Sequence, residues 1–203
     1  VTTPDYNHPR LRGALTNFIH ALGHRFDGDP RIGFITAGLL GTWGEWHTYP
    51  RNDLWAGRET QRGVLDAYAA AFHRTPVLLR YPAGPNDPSY VSTVGRPFGY
   101  HDDSFAWATR HTGRKGDDWF FETRLRAMGL DGAHRWRSHP IGGEVRPEVW
   151  GCLWDEPTCA PAGQEFLPCV EATHVSWLMN TGVFTEKLTG TRRDRAIAAA
   201  RRL

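Results

Sequence analysis

The segment Gly41-Thr42-Trp43-Gly44-Glu45-Trp46-His47-Thr48-Tyr49-Pro50 sets a carboxylate and an imidazole among large aromatic side chains. It comes directly after residues 32–40, the most apolar run of the chain. A second carboxylate, Glu144, stands behind Gly142-Gly143 near the end of another apolar run, and glycines there allow close approach of backbone or ligand. Two carboxylates at one cleft can cleave a glycosidic bond. One protonates the leaving oxygen, and the other attacks the anomeric carbon or activates water. The plainer alternatives are that Glu45 is an ion-paired rim residue and that Glu144 bridges to Arg146 or Arg80.

His101-Asp102-Asp103 admits three readings. It can bind sugar hydroxyls through His101 and Asp103, hold a divalent metal together with Glu45 and His47, or cap a strand. No His-x-x-x-His spacing supports the metal, and Asp103-Ser104 is also a helix-start pattern. The site is therefore expected to need no metal and no cofactor. Trp43, Trp46, Tyr100 and Trp177, with His47, are candidate substrate-binding residues in or beside the proposed strand ends, where flat rings stack on the apolar faces of sugars; about half of the aromatic residues near those ends are expected to be core instead. No Gly-x-Ser-x-Gly elbow and no phosphate-binding Gly-x-x-x-x-Gly-Lys-[Ser/Thr] loop occurs.

Composition narrows the partners. The 203 residues are 40% hydrophobic, and 24 basic against 22 acidic side chains give a net charge of +2, with no run of like charge. This disfavours disorder and a nucleic-acid-binding face. No stretch reaches the roughly 18 apolar residues of a membrane span. Carbohydrate is the expected partner; neither oligomeric state nor compartment is indicated. Cys152, Cys159 and Cys169 lack zinc-site spacing, and Cys152–Cys159 is the expected disulfide if the parent protein is secreted, with Cys169 free.

The elements that must position these residues alternate. Residues 9–25 put Leu11, Leu15, Phe18, Ile19 and Leu22 on one helical face, with Asn7 as cap and Pro9 in the first turn. A strand over 32–40, a helix over 58–73 and a strand over 77–81 follow. Phe98-Gly99-Tyr100 reads as strand, then come a helix over 117–128 and strands at 141–145 and 174–179. About five strands with intervening helices suggest the α/β class and part of a (β/α)8 barrel, about strands four to eight, in a single domain over 1–203 that lacks about the first three units. A smaller doubly wound sheet is the rival.

Around these positions the chain resembles a bacterial family of mostly uncharacterised barrel proteins, themselves similar to clan A glycoside hydrolases. The resemblance rests on Pro4-Asp5-Tyr6, Gly41-Thr42-Trp43-Gly44-Glu45-Trp46-His47, Gly99 to Phe105, Gly142-Gly143-Glu144 and His174-Val175-Ser176-Trp177. It implies that Glu45 ends strand four as acid/base, that Glu144 ends strand seven as nucleophile, and that Trp177 is the platform beneath the sugar. The Asn that many clan A enzymes carry immediately before the acid/base is replaced here by Gly44.

Overall fold

A computed structural model describes residues 2–150, 152–154, 163–179 and 189–201. The chain divides into two compact units, residues 1–100 and 101–203.

The first unit opens with helix α1, Pro9–Phe26. Proline presets the first helical φ, so the cap is the residue before it: His8, whose Nδ1 accepts the Arg10 N–H at 3.2 Å. Asn7, the expected cap, instead accepts the Gly57 N–H at 2.9 Å and the Thr60 hydroxyl at 3.2 Å. It thereby ties the entry of α1 to helix α2, Arg58–Ala71. Of the expected apolar face of α1, Ile19 is buried and Phe18 is exposed. The two helices meet closely at Gly23, where a Cβ would lie 2.3 Å from the Ala71 carbonyl oxygen. Val64, Leu65 and Tyr68 supply the buried face of α2.

Strand β1 is Ile35–Thr36, much shorter than the apolar run that contains it. Its ladder with β2, Val77–Leu79, is parallel, and the backbone bond from Ala37 to the Leu78 carbonyl at 2.8 Å follows before glycines turn the chain away. Strand β3, Phe98–Phe105, pairs in parallel with β2 from Val77↔Phe98 to Leu79↔Tyr100. It runs on through His101, Asp102, Asp103 and Ser104, so the helix-start reading of Asp103-Ser104 does not hold. Alternation explains it: Asp102 and Ser104 are buried, while His101 and Asp103 are half-buried. The Asp102 carboxylate is satisfied within the strand's surroundings by the Ser104 N–H at 2.9 Å and the Thr109 hydroxyl at 2.7 Å.

In the second unit, helix α3 is Phe121–Ala127. It starts later than expected because the Asp117 carboxylate turns the preceding loop by accepting the N–H groups of Thr112 and Gly113. Helix α4, Leu130–His134, precedes strand β4, Ile141–Val145. Helix α5, Phe166–Thr173, ends on His174 in the left-handed conformation. Strand β5 therefore comprises Trp177–Met179 rather than starting at 174; helix α6 is Gly190–Ala200. Strand β5 is parallel to β4, with Gly142↔Trp177 and Glu144↔Met179 in register. Gly143 faces the Asp102 backbone of β3, where a Cβ would fall 2.2 Å from the carbonyl oxygen.

The five strands thus lie in sequence order, β1-β2-β3-β4-β5. A doubly wound sheet reverses its order at a switch point. Unbroken order, with helices between β1 and β2, β3 and β4, and β4 and β5 and an irregular connection between β2 and β3, is the pattern of successive units of a (β/α)8 barrel, and the fold is a partial one.

Asp27, at the end of α1, joins that helix to the turn before β2. Its carboxylate accepts the N–H groups of His73, Arg74 and Thr75 at 3.1, 2.9 and 2.8 Å. Desolvation pushes its pKa up, but the three backbone donors together outweigh it, and the carboxyl sits below its usual value. A depressed folded-state pKa gives stability that is present above the unfolded-state pKa and lost as pH falls through the folded one. Asp27→Asn is therefore expected to be less stable than the parent at neutral pH in urea unfolding. The gap should close as pH falls below about 4; a gap equal at all pH values would exclude the charged cap.

Candidate functional site

The loop after β1 is built on left-handed backbone. Gly41 and Gly44 have φ of 88° and 81°, and Trp43 and Trp46, which are not glycines, have 52° and 58°. A left-handed non-glycine residue costs about 1–2 kcal/mol, so the surroundings must hold both tryptophans. Trp46 is held: it is buried, its indole N–H donates to the Ala37 carbonyl, and its own carbonyl accepts the Tyr90 hydroxyl at 2.8 Å. Its ring meets Trp55, Trp55 meets Tyr90, and Tyr90 stacks on Tyr81 with centroids 4.5 Å apart. Trp43 is the opposite case, 88% exposed, and Tyr49 is exposed at 72%. The loop sinks one indole as an anchor and turns the next outward.

The same closure fixes Glu45 and His47. The Thr42 N–H donates to the His47 carbonyl at 2.7 Å, and at Gly41 a Cβ would meet the His47 backbone at 2.6 Å. The hydroxyl of Tyr6 accepts the Gly41 N–H at 2.9 Å and donates to its carbonyl at 3.3 Å. The imidazole of His47 is engaged on both nitrogens: Nδ1 accepts the Tyr49 N–H at 3.2 Å, and Nε2 lies 3.3 Å from Glu45 Oε2. An Nδ1 that accepts carries no proton, so the neutral ring is protonated at Nε2 and donates to the carboxylate. Metal ligation needs the reverse, a free Nε2 lone pair with the proton on Nδ1. Metal ligation by His47 and Glu45, whose ligand atoms lie within 4.8 Å of each other, would therefore require the other tautomer and the loss of the Tyr49 contact. Glu45 Oε1 accepts no hydrogen bond from a described residue.

Tyr100, also in the first unit, is fully buried and donates its hydroxyl to Thr93 at 2.7 Å. It is one of the aromatics that belong to the core.

In the second unit, Asp103 accepts the Ser104 hydroxyl at 3.1 Å, and Ser104 accepts Arg146 at 3.2 Å. His101 shares the half-buried side of β3 with Asp103. Arg146 also forks onto Glu148 with two contacts of 2.9 Å and lies over the Trp107 ring. Glu144 is half-buried, one residue before the end of β4. Trp177 opens β5 instead of closing it, level with Gly142, and a Cβ at Gly142 would sit 2.2 Å from its indole. The glycine pair thus makes room for an indole and for the backbone of β3. Asp102 is structural, though it lies within β3 and caps no strand end: Thr109, which it accepts from, has its N–H bonded to the Gln164 side chain, next to the free, buried Cys169. Of the expected Cys152–Cys159 bridge, Cys152 is disulfide-bonded, while Cys159 lies outside the described residues.

Two residues already noted in the sequence take roles in the loop that the sequence did not indicate. Tyr6 acts across 35 residues, and Tyr49 acts through its backbone N–H.

No family model matches the chain, so the resemblance to a bacterial family gains no support from one, and no curated protein matches it. Among solved structures it is similar to the beta-glucanase SdGluc5_26A from Saccharophagus degradans in complex with cellotetraose, at 11% identity and a TM-score of 0.46. The native form of the same enzyme gives 13% and 0.46. Each alignment covers 97% of this chain and 62% of the other. Likeness at this level decides nothing about chemistry.

Gly44 explains why no Asn precedes Glu45. Its φ is left-handed, and a Cβ there would lie 2.0 Å from the Gly38 carbonyl oxygen. Gly44→Ala is expected to destabilise the chain by at least about 2 kcal/mol. Gly33→Ala, at ordinary φ with nothing within 4 Å of the added Cβ, should change stability by less than about 1 kcal/mol. Urea unfolding of the two variants side by side checks the contrast; equal losses would refute it.

Proposed function

We propose that the protein acts on a β-linked carbohydrate as a glycoside hydrolase, with Glu45 as general acid/base and Glu144 as nucleophile. The observation that supports it most is the state of Glu45. One carboxylate oxygen is held by His47, the other takes no hydrogen bond from a described residue, and the exposed rings of Trp43 and Tyr49 belong to the same loop. A held carboxyl with one open oxygen suits proton transfer to a leaving group, and exposed indole and phenol faces suit the apolar faces of sugars. Glu144 supports the reading through its place near the C-terminal end of β4, since parallel barrels carry their chemistry at strand C-termini. In this reading His101, Asp103 and Trp177 bind substrate, and the chain is a single domain corresponding to about strands four to eight of a barrel.

A second reading, a carbohydrate-binding barrel without turnover, is favoured by Gly44. The backbone there excludes the side chain that many clan A enzymes use on the sugar 2-hydroxyl, so transition-state contacts made through that hydroxyl are missing while stacking surfaces remain.

Aryl β-glycosides with good and poor leaving groups separate the two. Glu45→Gln should lose about 10²–10⁴-fold in kcat on poor leaving groups and much less on activated ones. Glu144→Gln should lose turnover on all of them. Hydrolysis by both variants at the parent's rate would overturn the paired-carboxylate mechanism. Oligosaccharide binding without cleavage by the parent would establish the binding reading.

A further inference from the structure

We infer that His47 is a positioning residue: it holds Glu45 by one oxygen, as a neutral imidazole of fixed tautomer, and so selects Oε1 as the oxygen that meets the ligand. The inference rests on the proposed role of Glu45 for its kinetic consequence, but not for its structural content.

Three contacts carry it. The Tyr49 N–H, directed at Nδ1 at 3.2 Å, removes the tautomer protonated there. The remaining proton on Nε2 faces Glu45 Oε2 at 3.3 Å. The main chain that carries the ring is itself clamped, by the Thr42 N–H at 2.7 Å and by the close passage of Gly41. A carboxyl group free to rotate offers either oxygen in several geometries, whereas one tied at Oε2 presents Oε1 in a single orientation. When Glu45 is protonated, its proton resides on Oε1 and Oε2 remains the acceptor. In the proposed mechanism a Glu144 carboxylate oxygen bonds to the anomeric carbon as the bond from that carbon to the glycosidic oxygen breaks; the electron pair of the broken bond goes to the glycosidic oxygen, which takes the Oε1 proton and leaves Glu45 as a carboxylate. His47 keeps its own proton throughout, which separates a positioning residue from a proton relay.

The test has a spectroscopic arm and a kinetic arm, both on the full chain. Multiple-bond ¹H–¹⁵N spectra of the histidine-labelled parent should show His47 neutral with the proton on Nε2. In Glu45→Ala the Nε2–H resonance should move or broaden, as its acceptor is gone. A proton on Nδ1, or a spectrum unchanged by Glu45→Ala, overturns the inference whatever the protein catalyses. On an aryl β-glycoside with a poor leaving group, His47→Ala should lower kcat about tenfold or more, within the about 10²–10⁴-fold that a positioned acid contributes, with KM little changed. His47→Gln, whose amide N–H can occupy the place of Nε2, should recover most of that loss. Undiminished kcat in His47→Ala, with Glu45→Gln impaired, overturns the positioning role and leaves the role of Glu45 intact. If Glu45→Gln itself hydrolyses like the parent, the proposed role of Glu45 fails, and the spectra alone decide whether His47 holds it. Should His47→Ala not fold, the spectra of the parent and the His47→Gln kinetics give the answer.

Discussion

The backbone of the loop after β1 passes within van der Waals contact of itself at two points, and the placing of Glu45 and His47 depends on that. Gly44 lies against the Gly38 carbonyl and Gly41 against the His47 backbone, each without room for a methyl group. The closure makes the loop compact enough that Glu45 and His47, two residues apart, face each other. In extended strand they would also share a side, but their backbone would be held by ladder bonds and nothing would fix the imidazole. Here a main-chain donor, Tyr49, fixes it.

A loop wound this tightly needs anchorage, and the anchorage is aromatic. Trp46 is buried in a left-handed conformation and is retained by its indole N–H, by the Tyr90 hydroxyl on its carbonyl and by contact with Trp55. Burial of a side chain that size is worth several times the conformational cost, on the order of 25 cal/mol per Å² of apolar surface removed from water. Trp43 has no such return. Its exposure in an unfavourable conformation is a consequence of the two glycines that bracket it, and it leaves a flat ring turned toward solvent in the loop that carries Glu45.

The second unit uses the same device on strands. Gly142 makes room for the Trp177 indole of β5, and Gly143 for the Asp102 backbone of β3. Behind β3, Asp102, Thr109, Gln164 and Cys169 form a connected polar network. Burial, and then the nearby Asp102 charge, push the Cys169 thiol well above its usual value, so it stays protonated and inert. The two acidic residues of the His101-Asp102-Asp103 segment thus differ in kind: Asp102 is part of the core, and Asp103 shares the half-buried side with His101.

Periodicity along the chain was enough to read the helices α1 and α2 and the location, though not the length, of the strands, because apolar spacing reports which side of an element is covered. The alternation of helix and strand was likewise enough to favour a barrel over other classes, but the singly wound order that excludes a doubly wound sheet is a matter of pairing between strands. The glycine-rich stretch around Glu45 and the Gly-Gly before Glu144 were legible as places of close approach; what approaches was not. That Gly44 answers to Gly38, Gly142 to Trp177, and Gly41 to both His47 and Tyr6 required the folded backbone, since these contacts join residues with no local pattern in common. The separation of Asp102 from Asp103, and of Trp46 from Trp43, was decided in the same way: identical residue types in one short segment acquire opposite roles when the tertiary structure buries one neighbour and leaves the next at the surface.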